Sequence, residues 1–195
     1  NGFDASPSSA VRLGPGVELP AQGLVAAWVR GAAAAKALRK QEHLGSAPLD
    51  GATLCRMAGV HEASLSSTAT APLSFALDHS DSSGRIVLRS RWPAGRRFDL
   101  ARILGDRVAG ARDRLLPATR VYTYRQKLQR SFAAELLCPF EGLEEFLAGD
   151  YSEDSQREAA ERYQVSELTV STILVNHDRI DRSGIEKDGE TPSFA

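Results

Sequence analysis

Most of this chain consists of segments in which apolar residues recur at helical spacing, and this pattern constrains the fold more than any other feature. Helices are predicted over 21–44, 96–108, 124–137, 140–147, 153–163 and 167–177, with a shorter helix through Leu54 and Met57. The segment 61–91 differs, because Leu73, Phe75 and Leu77 alternate with smaller or polar residues, and the apolar run Ile86–Leu88 follows a turn at Asp81–Gly84. The sequence therefore predicts an α+β fold that is mostly helical and contains a small antiparallel sheet.

Composition narrows the class of protein further. The chain has 195 residues, of which 42% are hydrophobic and 25% charged, with a formal net charge of -1, as expected for a globular protein with one main core. The longest apolar runs fall far short of the roughly 20 residues of a membrane-spanning helix, and the first residues lack the charged-then-apolar pattern expected of a signal peptide. We therefore expect a cytoplasmic protein that does not interact with a membrane.

Local composition divides the chain into four parts. Residues 1–20 are rich in Pro, Gly and Ser and are predicted to form a linker or flexible arm. Residues 21–150 hold the main domain, and residues 151–182 form a pair of helices packed on it. Residues 183–195 form a tail. Because neither Cys55 nor Cys138 has a neighbouring Cys or His at ligand spacing, no cysteine-based zinc site or disulfide framework is indicated.

The segment from Ala159 to Leu174 has the pattern of a helix-turn-helix unit. A tight turn at Gln164-Val165 is followed by Ser166 as the N-cap of a second helix, whose inward side carries Val170 and Leu174. In a DNA-binding version, the major groove would be contacted by Glu167, Leu168, Thr169 and Thr172. The second helix lacks Arg and Lys, which favours structural packing over the reading of DNA.

Charge is unevenly distributed along the chain. Residues 85–130 hold thirteen Lys or Arg against three acids, whereas residues 135–167 hold ten acids against two arginines. The basic block could form a face for a nucleic acid or an acidic partner, with Arg85, Arg89 and Arg91 as candidate contacts. Alternatively, the two blocks face each other within one domain.

Two segments resemble the ImmA/IrrE-type metallopeptidases. Residues 97–106 read R-F-D-L-A-R-I-L-G-D, which is similar to the family helix R-R-F-x-x-A-H-E-x-G-H, where two zinc-ligand histidines and a catalytic glutamate lie. Phe132–Pro139 nearly repeats the ending of a later family helix, E-x-x-A-N-x-F-A-A-E-L-L-M-P, whose first glutamate supplies the third ligand. The similarity spans about residues 21–180 and implies a zincin-like peptidase architecture.

At every catalytic position this chain departs from the family. The positions of the two histidines hold Arg102 and Asp106, that of the general base holds Ile103, and that of the third ligand holds Gln126. A guanidinium or an amide is not a normal zinc donor, and isoleucine cannot accept a proton. We therefore predict no metal, no cofactor and no hydrolysis by the family mechanism. An ion pair between Arg102 and Asp106, with Gln126 beside it, is predicted to replace zinc structurally.

These patterns favour a catalytically inactive metallopeptidase-like domain that serves as a protein- or peptide-binding regulatory module in a bacterial or phage system. The resemblance implies a helix-turn-helix repressor as the partner. An extended peptide is expected to add to an edge strand, for which Arg85–Arg91 is the candidate. The alternatives are a DNA-binding helix-turn-helix regulator and a peptidase with a relocated metal site.

Overall fold

The computed structural model describes residues 2–66, 71–79, 83–110 and 114–181, and the tail predicted at 183–195 lies outside these residues. The helices are α1 Ala27–Gln41, α2 Gly51–Ala58, α3 Ala63–Ser66, α4 Pro93–Val108, α5 Tyr124–Leu137, α6 Phe140–Leu147, α7 Glu153–Tyr163 and α8 Glu167–Asn176. The strands are β1 Phe3–Ala5, β2 Ser74–Asp78, β3 Gly84–Val87 and β4 Leu115–Ala118. The predicted α+β fold, mostly helical with a small antiparallel sheet, is confirmed.

Local capping explains why the last helices begin where they do. The hydroxyl of Thr123 accepts a hydrogen bond from the Gln126 amide at the start of α5, and Ser166 does the same for Thr169 at the start of α8. Gln164 ends α7 in a left-handed conformation, with φ at 54°. The two-helix unit predicted from the sequence is therefore formed, and both Val170 and Leu174 are fully buried.

The sheet has the strand order β1-β3-β2-β4, and every neighbouring pair is antiparallel. Its outermost strands come from segments in which the sequence predicted none. Strand β1 lies in the segment 1–20, which was predicted to be a linker, and Ala5 and Ala10 are buried. Strand β4 has only four residues and contains Pro117, so its pattern was too short to recognise.

The edge strand predicted at Arg85–Arg91 was wrong. Strand β3 lies between β1 and β2, since Ile86 is paired with Phe3 on one side and with Ala76 on the other. The error arose because the Pro- and Gly-rich start of the chain gave no signal for the strand that covers β3. The edges of the sheet are β1 and β4.

Helix α4 runs through the centre of the hydrophobic core, where Leu100, Ile103 and Leu104 have no exposed surface. It packs against α5, which in turn packs closely on α1. Helix α1 begins at Ala27, six residues later than predicted, so Leu24 precedes the helix and is 83% exposed. In the part of the chain that the structure describes, no helix is both long and apolar enough to cross a bilayer.

Gly31 allows the close approach of α1 and α5, which gives a test of this packing. A Cβ atom built at Gly31 would overlap the carbonyl oxygen of Leu128 and lie 3.1 Å from the amide nitrogen of Phe132. Because both atoms belong to the backbone of α5, we expect Gly31→Ala to destabilise the fold by about 1–3 kcal/mol. This expected destabilisation is the net effect, after the gain in helix propensity of about 1 kcal/mol that alanine brings.

The matched control is Gly51→Ala at the first turn of α2. An added Cβ there would meet only side-chain atoms, at 3.4 and 3.5 Å, which are ordinary contact distances. We expect Gly51→Ala to change the free energy of unfolding by less than about 1 kcal/mol, in the stabilising direction. Urea unfolding of both variants checks the pair, and equal effects would contradict the proposed close packing.

Candidate functional site

A buried guanidinium group lies where α4, α5 and the end of β4 meet. Arg102 is 6% exposed, and its Nη2 atom donates hydrogen bonds of 2.5 Å to Oε1 of Gln126 and to the carbonyl oxygen of Thr119. Its Nη1 atom lies 3.5 Å from Oδ1 of Asp99, one turn earlier on the same helix. A charge removed from water in this way requires several partners, and Arg102 has them on three sides.

Asp106 has a different partner from the one predicted. Its Oδ2 atom accepts hydrogen bonds from Nε of Arg125 at 2.9 Å and from Nε2 of Gln129 at 2.6 Å. Among the described residues, Asp106 forms its ion pair with Arg125 and Arg102 forms its own with Asp99. The predicted direct pair between Arg102 and Asp106 is therefore not formed. Gln129 connects the two residues, because its Oε1 atom accepts from Arg102 Nη2 at 3.3 Å.

The polar cluster, as we call it, consists of Asp99, Arg102, Asp106, Arg125, Gln126 and Gln129. Its side chains bind the backbone of β4 along the side that does not pair with β2. Nε2 atoms of Gln126 and Gln129 donate to the carbonyl oxygen of Pro117 at 2.9 and 3.1 Å. Oε1 of Gln126 accepts from the amide of Thr119 at 2.9 Å. This edge of the sheet is thus already bonded, which removes it as a site for strand addition by a peptide.

Burial dominates the electrostatics of the polar cluster. Desolvation raises the pKa of Asp106 above its ordinary value, although hydrogen bonds and charge from Arg125 oppose the change. The pKa of Asp99 is raised for the same reason, against the effects of Ser74 and Arg102. Desolvation also lowers the pKa of Arg102 from its usual range, but a guanidinium remains charged at neutral pH. The polar cluster is therefore a compensated group of buried charges.

The residues at the four family positions do not fit a zinc ion. The guanidinium of Arg102 and the amide of Gln126 are bonded to each other, and Asp106 is held by Arg125 and Gln129. Ile103 does not join them, because its side chain is fully buried in the hydrophobic core. One carboxylate is too few for a tetrahedral site. Within residues 2–66, 71–79, 83–110 and 114–181, no three His, Cys, Asp or Glu side chains are placed to hold a metal ion.

Much of the basic block serves inside the fold. Arg96 donates to the carbonyl oxygens of Leu65, Ser90 and Arg91, and Arg97 donates to those of Leu49 and Gln164. Both side chains are buried. A guanidinium can bind several carbonyl oxygens at once, so these cations hold loops to helices.

Arg107, near the end of α4, is used in the same way. It forms an ion pair of 2.6 Å with Asp78 and donates to the carbonyl oxygen of Ala58. The surface charge of the block is therefore lower than the sequence suggests.

The candidate DNA or partner contacts lie mostly at the surface. On α8, Glu167, Leu168 and Thr172 are exposed, and Thr169 is half-buried. The candidate arginines are exposed as well. Arg85 lies 3.7 Å from Asp4 across β1 and β3, Arg91 stacks on Trp92, and the charge of Arg89 acts on Asp99. DNA binding by α8 stays a prediction.

The start of α4 and the start of α8 line a common cleft of about 720 Å³. Pro93, Ala94 and Leu168 provide apolar walls, while Arg157 and Glu167 bring opposite charges to the rim, 4.0 Å apart. Two of the candidate contacts on α8, Glu167 and Leu168, therefore lie beside the segment that follows Arg91.

No protein-family model, no curated protein and no solved structure matches this chain. The likeness to ImmA/IrrE-type metallopeptidases therefore rests on the sequence motifs alone.

Sequence reasoning found Arg102, Asp106 and Gln126 but missed the residues that connect them. Gln129 lies one turn after Gln126, and Asp99 lies one turn before Arg102. Polar residues at this spacing on two otherwise apolar helix faces are the signal that could have found both. The ion pair of Arg125 with Asp106 crosses between two helices, and no local pattern indicates it.

Removing the guanidinium of Arg102 should destabilise the protein strongly. Arg102→Ala leaves Gln126, Asp99 and the carbonyl oxygen of Thr119 without their buried donor, and we expect a loss of about 3–5 kcal/mol. The control is Arg157→Ala, because Arg157 is paired with Asp154 at 2.8 Å on the surface. An exposed pair of this kind contributes under about 1 kcal/mol. Urea unfolding measures both, and similar losses would show that the polar cluster does not stabilise the fold.

The raised pKa of Asp106 predicts a pH dependence of stability. A folded pKa above the unfolded value means that the native state binds the proton more tightly, so stability is gained as pH falls toward 3.8 and lost as pH rises through the folded pKa. Arg125, Arg102 and Gln129 face this carboxyl and limit the effect. The quantity to compare is the free energy of unfolding of the parent chain minus that of Asp106→Asn. This difference should be larger at about pH 4.5 than at pH 7.

Asp150 provides a control of opposite sign. Hydrogen bonds from Ser155 and Ser152 lower the pKa of this exposed carboxyl, so its contribution is lost only below about pH 4. In urea unfolding, the difference in free energy of unfolding between the parent chain and Asp150→Asn should therefore be the same at both pH values. If the difference for Asp106→Asn did not change with pH, or were larger at pH 7, the raised pKa of Asp106 would be contradicted.

Proposed function

We propose that this chain is a catalytically inactive, metallopeptidase-like domain that acts as a protein-binding regulatory module. One observation carries the proposal. The residues at the family's ligand positions, Arg102, Asp106 and Gln126, form buried hydrogen bonds with other parts of this chain. They hold α4, α5 and β4 together, which is a structural role that a metal ion could otherwise fill. Following the resemblance, a helix-turn-helix repressor is the partner we propose.

The same bonds argue against a peptide-cleaving site between α4 and β4. A substrate added to the edge of β4 would have to displace Gln126 and Gln129 from the carbonyl oxygen of Pro117. It would also meet no general base, because the position of the catalytic glutamate holds the buried Ile103. Binding of a partner elsewhere on the surface would not disturb these contacts.

Metal analysis tests the absence of the family chemistry. We expect the purified chain to contain less than about 0.1 zinc per molecule and to unfold at the same temperature with zinc or EDTA added. A ligand present at about 100 times its Kd would stabilise the fold by about 2.7 kcal/mol, which a thermal scan detects readily. Peptidase activity toward unfolded casein should be absent, whereas an active zinc peptidase run in parallel supplies the positive control.

Stoichiometric zinc that EDTA removes with a fall in melting temperature would overturn the proposal. So would zinc-dependent casein cleavage that Gln126→Ala abolishes.

A further inference from the structure

We propose that the outer face of α1 and α5 is the docking surface of this module, and that its partner is an acidic amphipathic segment of another protein. The inference rests on the protein-binding role proposed above and names where that role resides. The residues that carry the argument are Leu24, Trp28, Arg120, Tyr122, Lys127 and Arg130. We call this surface the α1–α5 face.

The α1–α5 face lies on elements without a single acid along most of their length. Residues 19–41 hold four Lys or Arg and no Asp or Glu, and residues 114–134 hold five and none. The next acid on α5, Glu135, is buried. Because α1 and α5 pack directly on each other, these two stretches combine into one positive surface.

Several cations of these stretches are used within the fold, whereas others are exposed, among them Arg120 and Lys127. Arg39 donates to three carbonyl oxygens, among them that of Leu136, and Lys36 is paired with Glu141 at 3.3 Å. Arg120 and Lys127 are exposed and have no ion pair within the described part of the chain. These two side chains are therefore available to an acidic partner.

Large apolar side chains are exposed on the same two stretches of chain and just before the first of them becomes helical. Leu24 and Tyr122 are each 83% exposed, and Trp28 is 61% exposed. Oγ of Ser131 on α5 donates to the carbonyl oxygen of Trp28 at 2.7 Å, and the guanidinium of the preceding residue, Arg130, stacks on the ring of Tyr122. Consecutive residues of α5 thus tie both aromatic residues to one surface. Exposed aromatic rings beside cations are typical of interaction sites.

The loop that presents Tyr122 is held at both ends. Arg102 and Gln126 bind the backbone of Thr119 from inside, and Arg130 donates to the carbonyl oxygen of Val121 at 2.7 Å from outside. A loop that is already ordered loses less conformational entropy on binding. The polar cluster therefore prepares this part of the α1–α5 face for a partner.

The mixture of groups favours a protein segment over a nucleic acid. Affinity for nucleic acids comes mainly from many phosphate contacts, whereas this face presents large apolar side chains together with a few exposed cations. Aliphatic groups such as Leu24 and Val121, 55% exposed, cannot stack with bases as aromatic rings do. They fit the apolar side of an amphipathic helix, whose acidic residues would lie near Arg120 and Lys127.

Tryptophan fluorescence provides the test, because the chain has only two tryptophans. In a Trp92→Phe background, Trp28 is the sole reporter. The probe is a helical peptide of about 16 residues with leucines on one face and glutamates on the other. We expect it to shift the Trp28 emission to shorter wavelength with a Kd between about 1 and 100 μM. A twin peptide with lysine in place of every glutamate should cause no shift.

Variants assign the binding to the α1–α5 face. In the same background, the double variant Arg120→Glu, Lys127→Glu should weaken the acidic peptide at least about tenfold. The matched control, Arg85→Glu with Arg91→Glu, reverses two exposed charges outside the α1–α5 face and should leave the Kd within about twofold. Tyr122→Ala should weaken the peptide while the melting temperature stays unchanged.

Four results would overturn the inference: no shift with the acidic peptide, equal shifts with both peptides, equal effects of the two double variants, or tighter binding of oligothymidine or phosphatidylglycerol vesicles than of the acidic peptide. The last result would assign the face to a nucleic acid or a membrane surface. Zinc content and casein cleavage test the proposed function separately. A chain that contains no zinc and does not bind the acidic peptide would contradict only the docking surface.

Discussion

The buried guanidinium group of Arg102 is the interaction on which the surrounding structure depends. A charge removed from water is costly unless it is paired and hydrogen-bonded. Here Nη1 and Nη2 find partners on α4, α5 and the end of β4, while Nε has no hydrogen-bond partner among the described residues. The neighbours are constrained in turn, because Gln126 and Gln129 must each accept from Arg102 with one atom and donate to Pro117 with the other. The positions of the two helices and the strand follow from this set of bonds.

The same use of buried arginine recurs through the fold. Arg39, Arg96 and Arg97 each reach two or more backbone carbonyl oxygens, where an ammonium group would offer no planar fork of donors. The preference for Arg over Lys in this chain therefore has a structural role. It also separates the charge counted in the sequence from the charge displayed at the surface, since a cation bound to interior carbonyls contributes little to an electropositive face.

Helix α5 connects the interior of the protein with its proposed docking surface. One side carries Gln126 and Gln129, which belong to the polar cluster, and the other carries Lys127 and Arg130. The loop before α5 is bound from both sides. In an active metallopeptidase of the resembled family, the residue at the position of Gln126 is a metal ligand. In this chain Gln126 binds the backbone at the start of a surface loop, so the polar cluster orders part of the proposed docking surface.

The sequence by itself determined the features that depend on residues within a few positions of each other. Apolar spacing and caps such as Ser166 placed α4 to α8 within about three residues of their observed bounds, because helical hydrogen bonds and N-caps link residues three or four apart. The motif resemblance also drew attention to Arg102 and Asp106, which the structure places in the polar cluster. Only the tertiary structure decided their partners. Strand β1 covers β3, and Gln129 joins Arg102 to Asp106, because elements distant in sequence meet on folding, and no short-range pattern specifies which polar groups will then lie within bonding distance.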